Sequence, residues 1–215
     1  MNFSKIITAV LSLLIFVGNI QAQTEEIKIS KLVLNKKEKK VFAERTKDSS
    51  AVLYIDTLIM KDRSSLQFYG KKEVKIVVGY AEIGERVFIS GMAGKNNASN
   101  FDIDINFQKL GSLYIVARGQ DAMNGTRTYP NGDAGNINLV YDPSGITPQK
   151  EDKKAKKYLH TDVTPGGLRV TPTSDLRNIY DQIRSSAPGL RGVPQGQIYS
   201  GSPGKEGKVT ITSKE

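Results

Sequence analysis

Short β-patterned runs fill residues 51–142, and they are separated by Gly, Asn, Asp, Ser and Lys rather than by segments with helical periodicity. Another run, Ile27–Leu34, precedes them. Runs of this length, repeated about every 8 to 16 residues, indicate an all-β sandwich, barrel or solenoid and exclude a doubly wound α/β fold. The predicted strands after the first are Val52–Ile55, Thr57–Met60, Ser65–Tyr69, Val74–Val78, Val87–Ser90, Phe101–Phe107, Leu113–Val116 and Ile137–Tyr141.

Glycine-rich corners of irregular length favour a solenoid, with a β-sandwich as the alternative. Two of these corners share one pattern, Gly-x-x-Gly followed by a polar residue and a strand. The copies are Gly132–Asn136 before Ile137 and Gly204–Lys208 before Val209. We interpret them as a weak internal repeat in which glycine permits close backbone packing where the chain enters a sheet.

The first 22 residues have the parts of a cleavable secretory signal peptide. Lys5 precedes the apolar run Ile6–Val17, and Ala22 provides a small residue at the cleavage point. The apolar run is shorter than the roughly 20 residues that a spanning helix needs. We therefore expect an exported protein of the periplasm or cell surface, with no transmembrane segment in the mature chain.

After the signal peptide, the chain is predicted to divide into three parts. Residues 23–145 form the β-solenoid-like body, and residues 146–167, which combine proline, glycine and a lysine run, form a basic linker. Residues 168–215 form a small C-terminal portion. It contains one helix, capped by Ser174 and Asp175 and ended by Pro188, and then a Gly-rich turn and a strand.

The chain is basic, with 31 Lys and Arg residues against 22 Asp and Glu residues and a formal net charge of +9. Outside the cytoplasm, such a surface attracts lipopolysaccharide, anionic lipid, acidic polysaccharide and released DNA. Much of the charge lies in two lysine runs, 36–40 and 150–157, which solvated segments would also explain. Neither run contains the aromatic residues that bind nucleic-acid bases, so no specific nucleic-acid partner is predicted. The polyanion-binding hypothesis rests on Lys36, Lys37, Lys39, Lys40, Lys71 and Lys72.

Most catalytic chemistry is excluded by composition. There is no cysteine, so disulfides, thiolate metal sites and cysteine nucleophiles are ruled out. The one histidine, His160, is interpreted as an exposed residue of a strand or linker. There is no nucleophile elbow, phosphate-binding loop, dinucleotide fingerprint or EF-hand loop. No cofactor is predicted, although calcium stays open.

Two groups of charged residues are the remaining catalytic candidates. Asp102 and Asp104 share one face of a predicted strand, and Phe101, Ile103, Ile105 and Phe107 occupy the other. The simpler interpretation places the apolar face inward and both carboxylates in water. The second group lies in the Gly-rich corner and consists of Arg118, Asp121, Arg127 and Asp133. Either group could serve a polysaccharide lyase or hydrolase.

The segment 113–142, LYIVARGQDAMNGTRTYPNGDAGNINLVYD, resembles the strand, Gly-rich loop and strand corners of secreted bacterial β-helix-like proteins, most of which have no assigned activity. A fainter echo covers residues 191–212. The resemblance implies a fold and transfers no catalytic residue. We expect a non-enzymatic structural or binding module of the cell envelope, whose partner is an anionic glycan or an outer-membrane assembly. The alternative is a carbohydrate-active lyase or hydrolase on the same scaffold.

Overall fold

The computed structural model describes residues 25–43, 50–122, 129–168 and 202–215. The predicted signal peptide and the predicted C-terminal helix lie outside these residues. Regular secondary structure in the described ranges consists of strands alone. They are β1 (Glu25–Leu34), β2 (Lys39–Ala43), β3 (Ser50–Met60), β4 (Ser65–Tyr69), β5 (Glu73–Ile83), β6 (Val87–Gly94), β7 (Asn97–Ala98), β8 (Asn100–Leu110), β9 (Ser112–Val116), β10 (Ile137–Tyr141), β11 (Tyr158–Asp162) and β12 (Val209–Ser213).

The strands form two stacked ladders. The first sheet has the order β1-β3-β5-β8-β10-β12, and the second has the order β2-β4-β6-β9-β11, with β7 attached to β6. Every pairing is parallel except that of β7 with β6. The chain alternates between the sheets, so each coil adds one strand to each. This is a parallel β-solenoid, as predicted, and not the alternative β-sandwich, whose sheets are typically antiparallel.

Alternation along each strand creates the core between the two sheets. On the first sheet, Ala51, Val74, Phe101 and Ile137 are partners on successive strands and all are buried. Burying such apolar columns is the main stabilisation of the fold. The second sheet contributes Leu66, Phe68, Ile89, Leu113, Ile115 and Leu159 to the same core.

The two Gly-x-x-Gly copies occupy equivalent positions on neighbouring coils, because Ile137 pairs with Val209. A Cβ atom at Gly132 or Gly135 would overlap backbone of the preceding coil, so glycine is required by close approach. Side-chain oxygens link the coils at 2.7–2.9 Å. The four acceptors and their backbone N–H donors are Asn97 with Asp133, Asn100 with Asn136, Asp133 with Lys205, and Asn136 with Lys208.

Two predictions about the organisation of the chain are wrong. Residues 146–167 are not a linker between separate bodies, because β11 lies among them and pairs with β9 in the second sheet. The C-terminal strand is likewise part of the solenoid, since β12 pairs with β10. Backbone pairing with distant strands, rather than local composition, decides both cases. The strands predicted at 52–55 and 57–60 are one continuous strand, β3.

Candidate polyanion-binding corner

The chain passes from the first sheet to the second at a corner built from 35–38, 61–64, 84–86, 111 and 142–157. In three of these turns the backbone N–H of a cationic residue donates to the next coil, to a carbonyl in two turns and to a hydroxyl in the third. Lys37 N–H donates to the Asp62 carbonyl at 3.0 Å, and Arg63 N–H donates to the Glu85 carbonyl at 2.8 Å. Arg86 N–H donates to Ser112 Oγ at 2.7 Å. These hydrogen bonds stack the three cationic residues on successive coils, about 4.8 Å apart.

Lys37, Arg63 and Arg86 have φ values of 64°, 60° and 56°, in the left-handed region. This conformation costs a non-glycine residue roughly 1–2 kcal/mol, so glycine is the usual occupant. Five of the six non-glycine residues with positive φ in the described ranges are Lys or Arg, which shows how strongly cations predominate at these strained positions. All three of these side chains are exposed.

The fold also brings both lysine runs to this corner. Residues 36–40 lie before and within β2, and residues 150–157 form the loop that leads into β11. Lys157 N–H donates to the Leu110 carbonyl at 3.0 Å, which seats the second run on the preceding coil. Gln149 closes the loop, because its Oε1 accepts the N–H groups of Glu151 and Asp152 at 2.8 and 2.9 Å.

We call this set of exposed cations the basic corner. It consists of Lys36, Lys37, Lys39, Lys40, Lys61, Arg63, Arg86, Lys150, Lys153, Lys154, Lys156 and Lys157. Six acids share these segments, so twelve cations leave a net charge of +6 there. Five of the six acids accept hydrogen bonds within the turns. Glu38 accepts from Asn35 N at 2.7 Å, Asp62 from Glu85 N at 2.9 Å, and Glu85 from Ser112 Oγ at 2.8 Å, while Asp142 accepts from Ser144 N and Asp152 from Lys154 N.

The described residues show no ion pair within 4.0 Å for any cation of the basic corner. Four predicted polyanion-binding residues, Lys36, Lys37, Lys39 and Lys40, lie on it. Lys72 is exposed but lies at the opposite corner, between β4 and β5. Lys71 was wrongly predicted as a surface cation, because its side chain is 0% exposed. Sequence gives no signal for this difference between two adjacent lysines.

The Gly-rich corner gathers Arg118 and Asp121 at a cleft of about 460 Å³. Arg118 forms an ion pair with Asp162 and donates to Thr164 Oγ1 at 2.9 Å. Asp121 Oδ1 accepts from Gly167 N at 2.7 Å. Asp133 lies in the coil-linking contacts described above, and Arg127 is outside the described residues. Arg118, Asp121 and Asp133 therefore each form an ion pair or a hydrogen bond with a neighbouring segment of the solenoid.

Asp162, the ion-pair partner of Arg118, has a side chain that is 11% exposed. Burial raises the pKa of Asp162, but hydrogen bonds from Thr164 and the Arg118 guanidinium outweigh it and hold that pKa below its ordinary value. The carboxylate is ionised at neutral pH. It is therefore suited to holding Arg118 and unsuited to donating a proton.

Asp102 and Asp104 lie on the outer face of β8, as the simpler interpretation predicted, while Phe101, Ile103, Ile105 and Phe107 are buried. Asp102 Oδ1 accepts from Asn138 Nδ2 at 2.9 Å and Lys75 lies 3.9 Å from its other oxygen. Asp104 pairs with Lys214 at 3.0 Å. Both carboxylates are on the outward face of the first sheet, where Asp102 lines a depression of about 520 Å³.

His160 is exposed on β11, which confirms its predicted placement. The described ranges contain no group of three or more His, Asp or Glu side chains placed to hold a metal ion. They also contain no helix with the length and apolarity needed to cross a membrane. Sequence reasoning missed Lys61, Arg63 and Arg86; the shared spacing of a cation just before β2, β4 and β6 could have revealed the two arginines.

No protein-family model matches this chain, and neither a curated protein nor a solved structure matches it significantly. The class of protein is therefore defined by the fold itself. It is a parallel β-solenoid whose tight corner concentrates positive charge and whose wider corner interlocks Gly-rich segments.

Proposed function

We propose that this protein is an exported, non-enzymatic binding module of the cell envelope that holds an anionic glycan along its basic corner. The observation that carries the proposal is the convergence of the two lysine runs and the left-handed cations on one edge of a rigid solenoid. Successive coils present cations about 4.8 Å apart, which suits a linear polymer with regularly spaced acidic groups. The predicted signal peptide supports an envelope location.

The electrostatic part of this proposal predicts a steep salt dependence. Binding of polygalacturonate, an acidic polysaccharide, should weaken strongly between about 0.05 and about 0.5 M NaCl, because released counterions drive the association. Neutral dextran should not bind at either concentration. Equal binding of polygalacturonate at both salt concentrations would contradict the proposal.

Two variants of equal net charge test whether polygalacturonate binds at the basic corner. The corner variant changes the lysines of the second run to Gln: Lys150, Lys153, Lys154, Lys156 and Lys157. The control variant makes the same change at exposed lysines elsewhere: Lys28, Lys31, Lys95, Lys109 and Lys205. The corner variant should bind at least about tenfold more weakly, and the control less than about threefold. Equal losses would show diffuse attraction and no specific corner.

Export is tested separately by N-terminal sequencing of the protein from an envelope fraction. The mature chain should begin at Gln23, directly after the predicted cleavage point. An uncleaved chain that stays in the cytosolic fraction would overturn the envelope location and leave the binding measurements unaffected.

A further inference from the structure

One outward column of the second sheet runs beside the basic corner. Its members are register partners on five neighbouring strands: Lys39, Ser65, Phe88, Tyr114 and His160. The rings of Phe88 and Tyr114 are stacked, with centroids 4.9 Å apart and planes at 21°. Tyr114 and His160 continue the ladder at 5.5 Å. The planes of Tyr114 and His160 are tilted by 55°, so only Phe88 and Tyr114 are stacked face to face.

The ladder stops at Ser65, whose side chain is short, and among the described residues no ring contacts the other face of Phe88. Phe88 is 39% exposed, although it belongs to a stack. Neighbouring strands of a sheet lie about 4.8 Å apart, so the space above Ser65 is about one ring thick. We call this space the Ser65 notch; Phe88 bounds it on one side and Lys39 on the other.

Cations surround the Ser65 notch. Lys39 is the register partner of Ser65 on β2. Arg63 and Arg86 precede Ser65 and Phe88 by two residues, at the left-handed turns, and all three cations are exposed. The notch therefore combines one apolar ring face with several positive charges, which are the two features that a carboxylate-bearing sugar ring would contact.

We propose that the Ser65 notch binds one uronic-acid ring of an acidic polysaccharide, with the C–H face of the sugar on Phe88 and its carboxylate on Lys39, Arg63 or Arg86. This inference rests on the proposed function and names the ligand class. A single-stranded nucleic acid fits less well, because its binding usually uses several stacking rings in succession. Here Tyr114 packs against Phe88, Tyr158 and His160, so the column does not offer several free rings in succession.

Filling the notch tests the proposal. Ser65→Phe adds a ring that extends the stack on Phe88 and leaves every cation in place, while Ser65→Ala is the matched control. Ser65→Phe should weaken polygalacturonate binding about five- to tenfold and leave inorganic polyphosphate binding within twofold. Ser65→Ala should match the wild type for both polymers. Thermal unfolding of both variants confirms that the fold is retained.

The outcomes separate the notch from the basic corner. Wild-type affinity of Ser65→Phe for polygalacturonate overturns the notch, even if the corner variant loses binding. A notch-dependent loss seen for single-stranded DNA and not for polygalacturonate overturns the sugar assignment. Absence of wild-type binding to both polygalacturonate and polyphosphate overturns the proposed function itself. Phe88→Leu, which removes the ring face, should reproduce the selective loss, and an unchanged affinity would contradict the proposal.

Discussion

Gly135 lies where the Gly-rich segment packs closely on the backbone of the preceding coil. Adding one methyl group there, by substitution with alanine, should destabilise the protein. A Cβ atom at this position would lie closer than 3.0 Å to both the carbonyl oxygen and the carbonyl carbon of Ser99. Backbone cannot yield as a flexible side chain does, so the coils must separate locally. Three hydrogen bonds span this junction: Gly135 N to Ala117 O at 2.9 Å, Phe101 N to Asn136 O at 2.8 Å, and Asn136 N to Asn100 Oδ1 at 2.8 Å.

With about 1 kcal/mol for each hydrogen bond, Gly135→Ala should cost about 3 kcal/mol. For a chain of this size that corresponds to a fall of about 6–12 °C in Tm, measured by circular dichroism at a β-sheet wavelength. Gly79→Ala is the control, because its Cβ would lie 3.2 Å from the Asp56 carbonyl and needs only a small adjustment. The control should stay within about 1 kcal/mol of the wild type. Equal stability of Gly135→Ala and wild type would refute the close-packed arrangement of the Gly-rich segments.

Three further predictions follow from particular side chains. Lys71→Ala should cost about 2 kcal/mol or more in urea unfolding, because it empties a buried volume, whereas Lys72→Ala should change stability by less than about 0.5 kcal/mol; equal effects would contradict the burial difference. Asp162 has a lowered pKa in the folded state, so its stabilisation is present above its ordinary value of 3.8 and is lost as pH falls through the folded pKa. The stability difference between the wild type and Asp162→Asn should accordingly shrink on acidification below pH 3.8, and a difference that grows would reverse the assignment. Asp121→Asn and Asp133→Asn should leave release of reducing or unsaturated ends from polygalacturonate at the level of the wild type; a loss of such release would establish the lyase or hydrolase alternative.

The alternation of apolar and polar side chains along single strands could be predicted from the sequence. The residues Phe101 to Phe107 show apolar and polar side chains in turn, so their inner and outer faces followed from the two-residue period of a strand. The Gly-x-x-Gly copies were recognisable for a related reason, since stacked coils impose the same steric demand at equivalent positions. Both features depend only on near neighbours in the chain.

Features that depend on pairing between distant strands were not predictable in this way. The loop 150–157 has the composition of a linker, yet its end rests on Gly111 and β9, and no local pattern specifies that register. The burial of Lys71 has the same origin, because the turn that encloses it is set by neighbouring coils. The Ser65 notch required the full column of register partners to be known.

The central claim is that one solenoid edge gathers the two lysine runs, and a distance between them tests it most directly. The chain has no cysteine, so spin labels can be placed at Lys36→Cys and Lys154→Cys without other changes. Four strand spacings separate β2 from β11 in the second sheet, or about 19 Å. Double electron–electron resonance should show a narrow distribution centred at about 20–30 Å. A broad distribution beyond about 45 Å, as expected for a linker between separate bodies, would contradict the account.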